Sequence, residues 1–101
     1  MSAAYQQSRS ELLRLEILRV LDGATDGRAN DEVVQLGLDI RGYKCTRDRV
    51  TAELEWLAER QLVELTDLDD FTIAQLLETG EDVVRGRTAR RGIRAPRRPS
   101  R

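Results

Sequence analysis

Eight arginines crowd the last seventeen positions of this 101-residue chain: Arg85, Arg87, Arg90, Arg91, Arg94, Arg97, Arg98 and Arg101. No acid interrupts them. A guanidinium is planar and makes paired hydrogen bonds to phosphate or carboxylate, so such a run points to a polyanion or an acidic partner. Residues 1–84 hold nine Lys/Arg against all eighteen Asp/Glu, a net −9 that the +8 terminus brings to −1. A second basic group stands within that acidic part: Lys44, Thr46, Arg47 and Arg49. Cations in the first turn of a helix oppose its dipole by about 0.3–1 kcal/mol each. Two arginines placed there point to use against a phosphate or a guanine edge. The competing account pairs Arg47 and Arg49 with acids of the body, and reads the terminal run as a solubilising tail.

Much chemistry is excluded by what the chain lacks. It has no histidine, the commonest general base and metal ligand, and a single cysteine, Cys45. No nucleophile–base pair is recognisable, so an enzyme is not expected, and neither is a metal, another cofactor or a small-molecule ligand. Cys45 lies beside Lys44 and Arg47, cations expected to lower its pKa. Acid pairs such as Asp69-Asp70 and Glu81-Asp82 read as loop and cap residues. Trp56 falls off the apolar stripe of its helix and Tyr5 lies near the N-terminus; both are candidates for a protein interface, since aromatics dominate binding hot spots. Burial of Trp56 under neighbouring segments is the alternative.

These side chains must be carried by a small set of elements. With 40% apolar and 35% charged residues, the chain suits one domain with a modest core. Residues 1–7 are expected to be disordered. Ser8 and Glu11 form a capping box before a helix over about 9–21, with Leu13, Ile17, Val20 and Leu21 at helical spacing. Gly23, Asp26 and Gly27 mark a loop. Asn30 caps a second helix, whose Val33, Val34, Leu36 and Ile40 are expected in the core and whose end is Gly42. Thr46 caps a third helix over about 47–60, with Val50, Leu54, Leu57 and Ala58 inward. A strand over 62–65, a polar loop over 66–70 and a strand over 71–76 follow, with Phe71, Ile73 and Leu76 inward. Thr79 and Asp82 start a short fourth helix. Residues 86–101 are expected to be a flexible basic arm, leaving residues 8–85 as the domain.

Three helices, a β-hairpin wing and a short last helix make an α+β winged helix-turn-helix. From Cys45 onward the chain contains Thr46-Arg47-Asp48-Arg49-Val50, Leu54-Glu55-Trp56-Leu57-Ala58-Glu59 and Leu62-Val63. Further on come Leu76-Leu77-Glu78-Thr79-Gly80, Asp82-Val83-Val84-Arg85-Gly86-Arg87 and Gly92-Ile93-Arg94 with Pro96. In these blocks it resembles a family of small winged-helix proteins of Mu-like phages and prophages, described as similar to ArsR-type regulators. The resemblance implies the fold and a phage setting. One position departs: the family pattern has Gly before the first wing strand, where this chain has Gln61, a change that costs up to about 1 kcal/mol if the turn is left-handed.

The expected function is DNA binding in the cytoplasm of a bacterial host, in transcriptional control or near DNA packaging. A homodimer would grip double-stranded DNA through Lys44, Thr46, Arg47 and Arg49. Arg87, Arg90, Arg91, Arg94, Arg97 and Arg98 would add affinity independent of sequence. Against this stand Asp48, Glu55 and Glu59 on the outward stripe of the third helix and Asp67, Asp69 and Asp70 at the wing tip, all of the wrong sign for a phosphate backbone. The alternative is a protein–protein interaction module that uses that acidic stripe and Trp56.

Overall fold

The computed structural model describes residues 2–97. Its helices are α1 (Ala3–Asp22), α2 (Asp31–Ile40), α3 (Arg47–Glu59) and α4 (Glu78–Val84), and its strands β1 (Arg28–Asn30), β2 (Val63–Asp67) and β3 (Thr72–Leu76). The sheet is antiparallel in the order β1-β3-β2, with Ala74 of β3 opposite both Ala29 and Leu65. The fold is α+β, and its elements follow the winged-helix order. Leu18 and Leu21 of α1, Leu38 of α2, Leu54 and Leu57 of α3 and Leu62 before β2 are buried in one core.

Helix α1 begins six residues earlier than the capping box implies. The Ser2 hydroxyl accepts from the Tyr5 amide, and no breaker follows before Ser8. Extending an existing helix adds a hydrogen bond per residue, whereas a new start requires a new nucleus. Residues 3–7 are therefore helical rather than disordered. Strand β1 escapes a sequence reading because three residues, Arg28-Ala29-Asn30, show no alternation. Its partner β3 supplies the order.

Helix α2 has the expected Asn30 cap, whose side chain accepts from the Val33 amide. Its C-terminus closes through Gly42 at φ +91°, with the Tyr43 amide bonded to the Leu38 carbonyl. The expected core face is corrected. Val34 and Leu38 are buried, while Val33, Leu36 and Ile40 are exposed. Both faces of this helix are apolar, and Gly37 decides between them. A Cβ there would meet the Val20 side chain at 2.9 Å, so α2 docks on α1 by its glycine edge.

The wing is corrected in the same way. Ala74 is buried and Leu76 half-buried against the core, whereas Phe71 is exposed and Ile73 only partly covered. In a strand of period two, Ala74 and Leu76 share a face that Phe71 and Ile73 cannot. Thr79 does not cap α4: Leu77 holds that position, and the Thr79 hydroxyl donates instead to the Gln61 carbonyl. Gln61 adopts φ +61°, the left-handed turn that the departure from glycine makes costly.

After α4 the chain does not become a free arm. Residues 86–97 run as an irregular strap over the body, so the folded unit extends past residue 85. Ile93, the one large apolar residue of the segment, is only 8% exposed and joins the core. The Arg94 amide donates to the Glu11 carbonyl at 3.1 Å. Arg98, Pro99, Ser100 and Arg101 lie outside the described residues.

Candidate nucleic-acid interface

The first turn of α3 presents less charge than its residues promise. Thr46 is its N-cap, the hydroxyl accepting from the Arg49 amide at 3.1 Å. Arg47 folds back onto Asp31, with Nη2 3.1 Å from Oδ1, and also donates to the Asp70 carbonyl of the wing loop. Arg49 reaches Glu53 at 2.9 Å and the Ser10 hydroxyl at 2.8 Å. Both arginines thus serve acids of the body, and the expected basic reading head reduces to Lys44 and the exposed Thr46.

The cause is a set of buried carboxylates that a charge count does not reveal. Glu53 is 5% exposed and is held between Arg14 at 2.8 Å and Arg49. Glu16 is equally enclosed, between Arg19 at 2.8 Å and Arg41 at 2.6 Å. Asp31 is the third, bound by Arg47. A buried carboxylate without its cation is strongly unfavourable, so each of these acids commits an arginine. A signal for Glu53 was present: it lies at i+3 from Val50 and four residues before Leu57, on the inward face of α3. Glu16 carries the same signal, three residues after Leu13 and four before Val20, whereas none marks Asp31.

The outward stripe of α3 is as the wheel implies. Asp48, Ala52, Glu55 and Glu59 are all exposed, and so are Asp67, Asp69 and Asp70 around the wing tip. The face that a winged helix ordinarily turns to a major groove is acidic here.

Trp56 is half-buried and clamped. The Arg14 guanidinium lies 3.8 Å from its ring centroid and that of Arg60 3.7 Å, while Gly92 of the strap abuts the ring edge. A Cβ on Gly92 would come within 2.6 Å of the indole. The Gly92 carbonyl accepts from Arg14 and the Arg60 carbonyl from Arg90, which fastens the strap on both sides of the tryptophan. Tyr5 remains about half exposed near the start of α1. Cys45 is partly buried, and burial pushes its thiol pKa up from the ordinary value despite the opposing pull of Arg49 and Arg9. The expected lowering is thereby reversed.

The strap builds a concave basic surface among the described residues. A cavity of about 640 Å³ is lined by Arg19, Arg85, Arg87 and Arg97 with Thr88 and Pro96. A neighbouring one of about 360 Å³ shares Arg19, Ala95 and Arg97 and adds Arg94 and Tyr43. Arg19 bonds Glu16, Arg85 bonds Asp22 and Arg87 bonds Asp82, each with guanidinium nitrogens left over. The hydrogen bond that Arg85 donates to Asp22 raises its pKa further above the ordinary value. Arg94 and Arg97 make no side-chain ion pair among the described residues. Arg91 is exposed on the strap as well. Arg85 and Arg87 are thus paired with acids as Arg47 and Arg49 of α3 are, whereas Arg94 and Arg97 are held by the strap without an acid partner among the described residues.

A four-helix, three-strand antiparallel domain of this order belongs to the winged-helix class. Solved structures agree in fold. RosR from H. salinarum, in crystals grown from NaBr, aligns with a TM-score of 0.62 over 71% of this chain and 64% of RosR, at 23% identity. The RosR-S4 complex aligns with a TM-score of 0.62 over 77% and 70%, at 22% identity. The chain belongs to the family of gp26 of Escherichia phage Mu, with 39% identity over 84 residues, 83% of this chain and 86% of gp26. A Haemophilus influenzae protein is 40% identical over 66 residues, 64% of each chain. No family model matches. No helix among the described residues is long and apolar enough to cross a membrane.

Proposed function

We propose that this member of the Mu gp26 family is a non-enzymatic winged-helix protein, acting as a homodimer, that binds double-stranded DNA by its phosphates. It does so through the arginine-lined groove of the C-terminal strap and not through the first turn of α3. The observation that carries this reading is the groove itself: Arg19, Arg85, Arg87, Arg94 and Arg97 line two adjoining cavities that share a wall. Phosphate contacts hold a protein on DNA without reading its sequence, so the expected binding is strong at low salt and indifferent to base order. Lys44 and Thr46 do not line the groove and would at most touch a flanking phosphate. Such a protein suits DNA handling in a phage or prophage, in transcriptional control or packaging, inside the bacterial cell.

A second reading is favoured by one observation, the exposed acidic stripe of Asp48, Glu55 and Glu59, which would suit a basic protein partner. Fluorescence anisotropy with labelled duplex DNA separates the two. The full chain is expected to bind at low salt, with log K falling by about 0.9 per phosphate contacted for each tenfold rise in salt. Arg94→Ala/Arg97→Ala should weaken that binding severely, and Arg47→Ala/Arg49→Ala should change it little after correction for folded fraction. Absence of binding by the full chain at low salt would reject the DNA reading and leave the acidic stripe as the working surface.

A further inference from the structure

Helix α2 carries an apolar stripe that nothing in the fold covers. Val33, Leu36 and Ile40 are 48%, 57% and 76% exposed, three of the six large apolar side chains left exposed on the described residues. Their spacing, i, i+3 and i+7, places them on one face, while Val34 and Leu38 enter the core from the other. Beside the stripe runs a cleft of about 390 Å³ between α2 and the segment leading to α3. Val33 and Leu36 form its apolar wall, Cys45 lies across from them, and Glu32, Asp39 and Lys44 stand at its rim. The Gln35 amide holds the two sides together by donating to the Cys45 carbonyl. A continuous apolar stripe beside a cleft marks an interaction surface rather than a solvated helix.

We propose that this surface joins two copies of the chain, their α2 helices antiparallel across a two-fold axis passing between Leu36 and Gly37. Three features point to a second copy. The stripe is palindromic about that axis: Val33 and Ile40 lie equally far from it in sequence, so Ile40 of each copy meets Val33 of the other at the mouth of its cleft. The two Leu36 side chains meet near the axis. The rim has charges of both signs on one flank, and an antiparallel two-fold sets that flank against its own copy. Lys44 of one copy then faces the Glu32 and Asp39 flank of the other. An isologous interface must be complementary to itself, which a rim of one sign could not be. None of the groove arginines belongs to α2, so self-association and DNA binding fail independently in experiment.

The test is the molar mass of the full chain by light scattering and sedimentation over a concentration series. Wild type is expected to reach twice the chain mass. Ile40→Asp should return it to the single-chain mass, while a cooperative thermal melt shows the chain still folded. In a Cys45→Ser background, Leu36→Cys should cross-link two chains under mild oxidation, while Glu64→Cys on the exposed side of β2 should not. A single-chain mass at every concentration overturns the proposal. So does a dimer that Ile40→Asp leaves intact, or cross-linking at Glu64→Cys as ready as at Leu36→Cys.

Discussion

The first turn of α3 and the C-terminal strap are both rich in arginine, yet the fold treats them in opposite ways. Arg47 and Arg49 lie within reach of carboxylates that are buried or nearly so, and the ion pairs they make absorb their charge. Arg94 and Arg97 ride on a strap fixed by apolar and backbone contacts, through Ile93, Gly92 and the Arg94 amide, and keep their guanidinium groups for something else. The availability of a cation depends on what else must be neutralised nearby. The number of arginines in a segment does not measure it.

Four changes would break or sharpen this contrast, the first with the largest expected effect. Glu53→Ala leaves Arg14 and Arg49 without the carboxylate between them and should destabilise the fold by about 3–5 kcal/mol, read from urea unfolding followed by circular dichroism. In the fraction that remains folded, Arg49 is released, and low-salt DNA affinity should rise. An unchanged affinity would mean that position, rather than pairing, keeps α3 from DNA. Ile93→Ala comes next. Loss of the anchor of the strap should cost about 2–4 kcal/mol at this buried site, and should weaken DNA binding as well by releasing the groove. Binding that survives in the folded variant would show that the arginines need no groove.

Gly92→Ala is expected to have a smaller effect, about 1–3 kcal/mol, because the new methyl must displace the indole of Trp56 or lift the strap. The emission of Trp56, the single tryptophan, should shift to the red as the clamp loosens. An unshifted spectrum with full stability would contradict the close approach of strap and ring. The smallest effect is a gain. Gln61→Gly removes a left-handed non-glycine residue at the end of α3 and should stabilise by up to about 1 kcal/mol, seen as a rise in Tm. DNA binding should not change, since Gln61 touches neither arginine group.

Much of the fold was legible in the sequence because local signals agreed with the tertiary outcome. The caps Asn30 and Thr46 act as read, and the Val50, Leu54, Leu57 stripe is buried. The outward acids of α3 follow from the helical repeat alone. Where two local solutions were nearly equal, the reading failed. Ser2 and Ser8 could each start α1, α2 could bury either of two apolar faces, and β3 could present either side. For α1 the choice was local, propagation from the Ser2 cap; for the other two a contact distant in sequence chose, Gly37 on Val20 for α2 and the pairing of Ala74 with Ala29 and Leu65 for β3. The site was less legible than the fold. Most of its arginines stand out in the sequence, Arg19 excepted, but their partition into paired and unpaired groups depends on which acids the packing brings beside them, Glu16, Asp31 and Glu53 above all.

Sequence alone determined the charge division of this protein, an acidic body with an arginine-rich end, because formal charge needs no coordinates. It also determined most helix limits, since caps and apolar periods act over a few residues. Only the tertiary structure decided that residues 86–97 are a strap rather than an arm and that the arginines of α3 face inward acids. Those outcomes rest on pairs far apart in the chain, Arg14 with Gly92, Arg49 with Ser10 and Arg47 with Asp31. Charge is a property of residues, and its availability is a property of their neighbours in space.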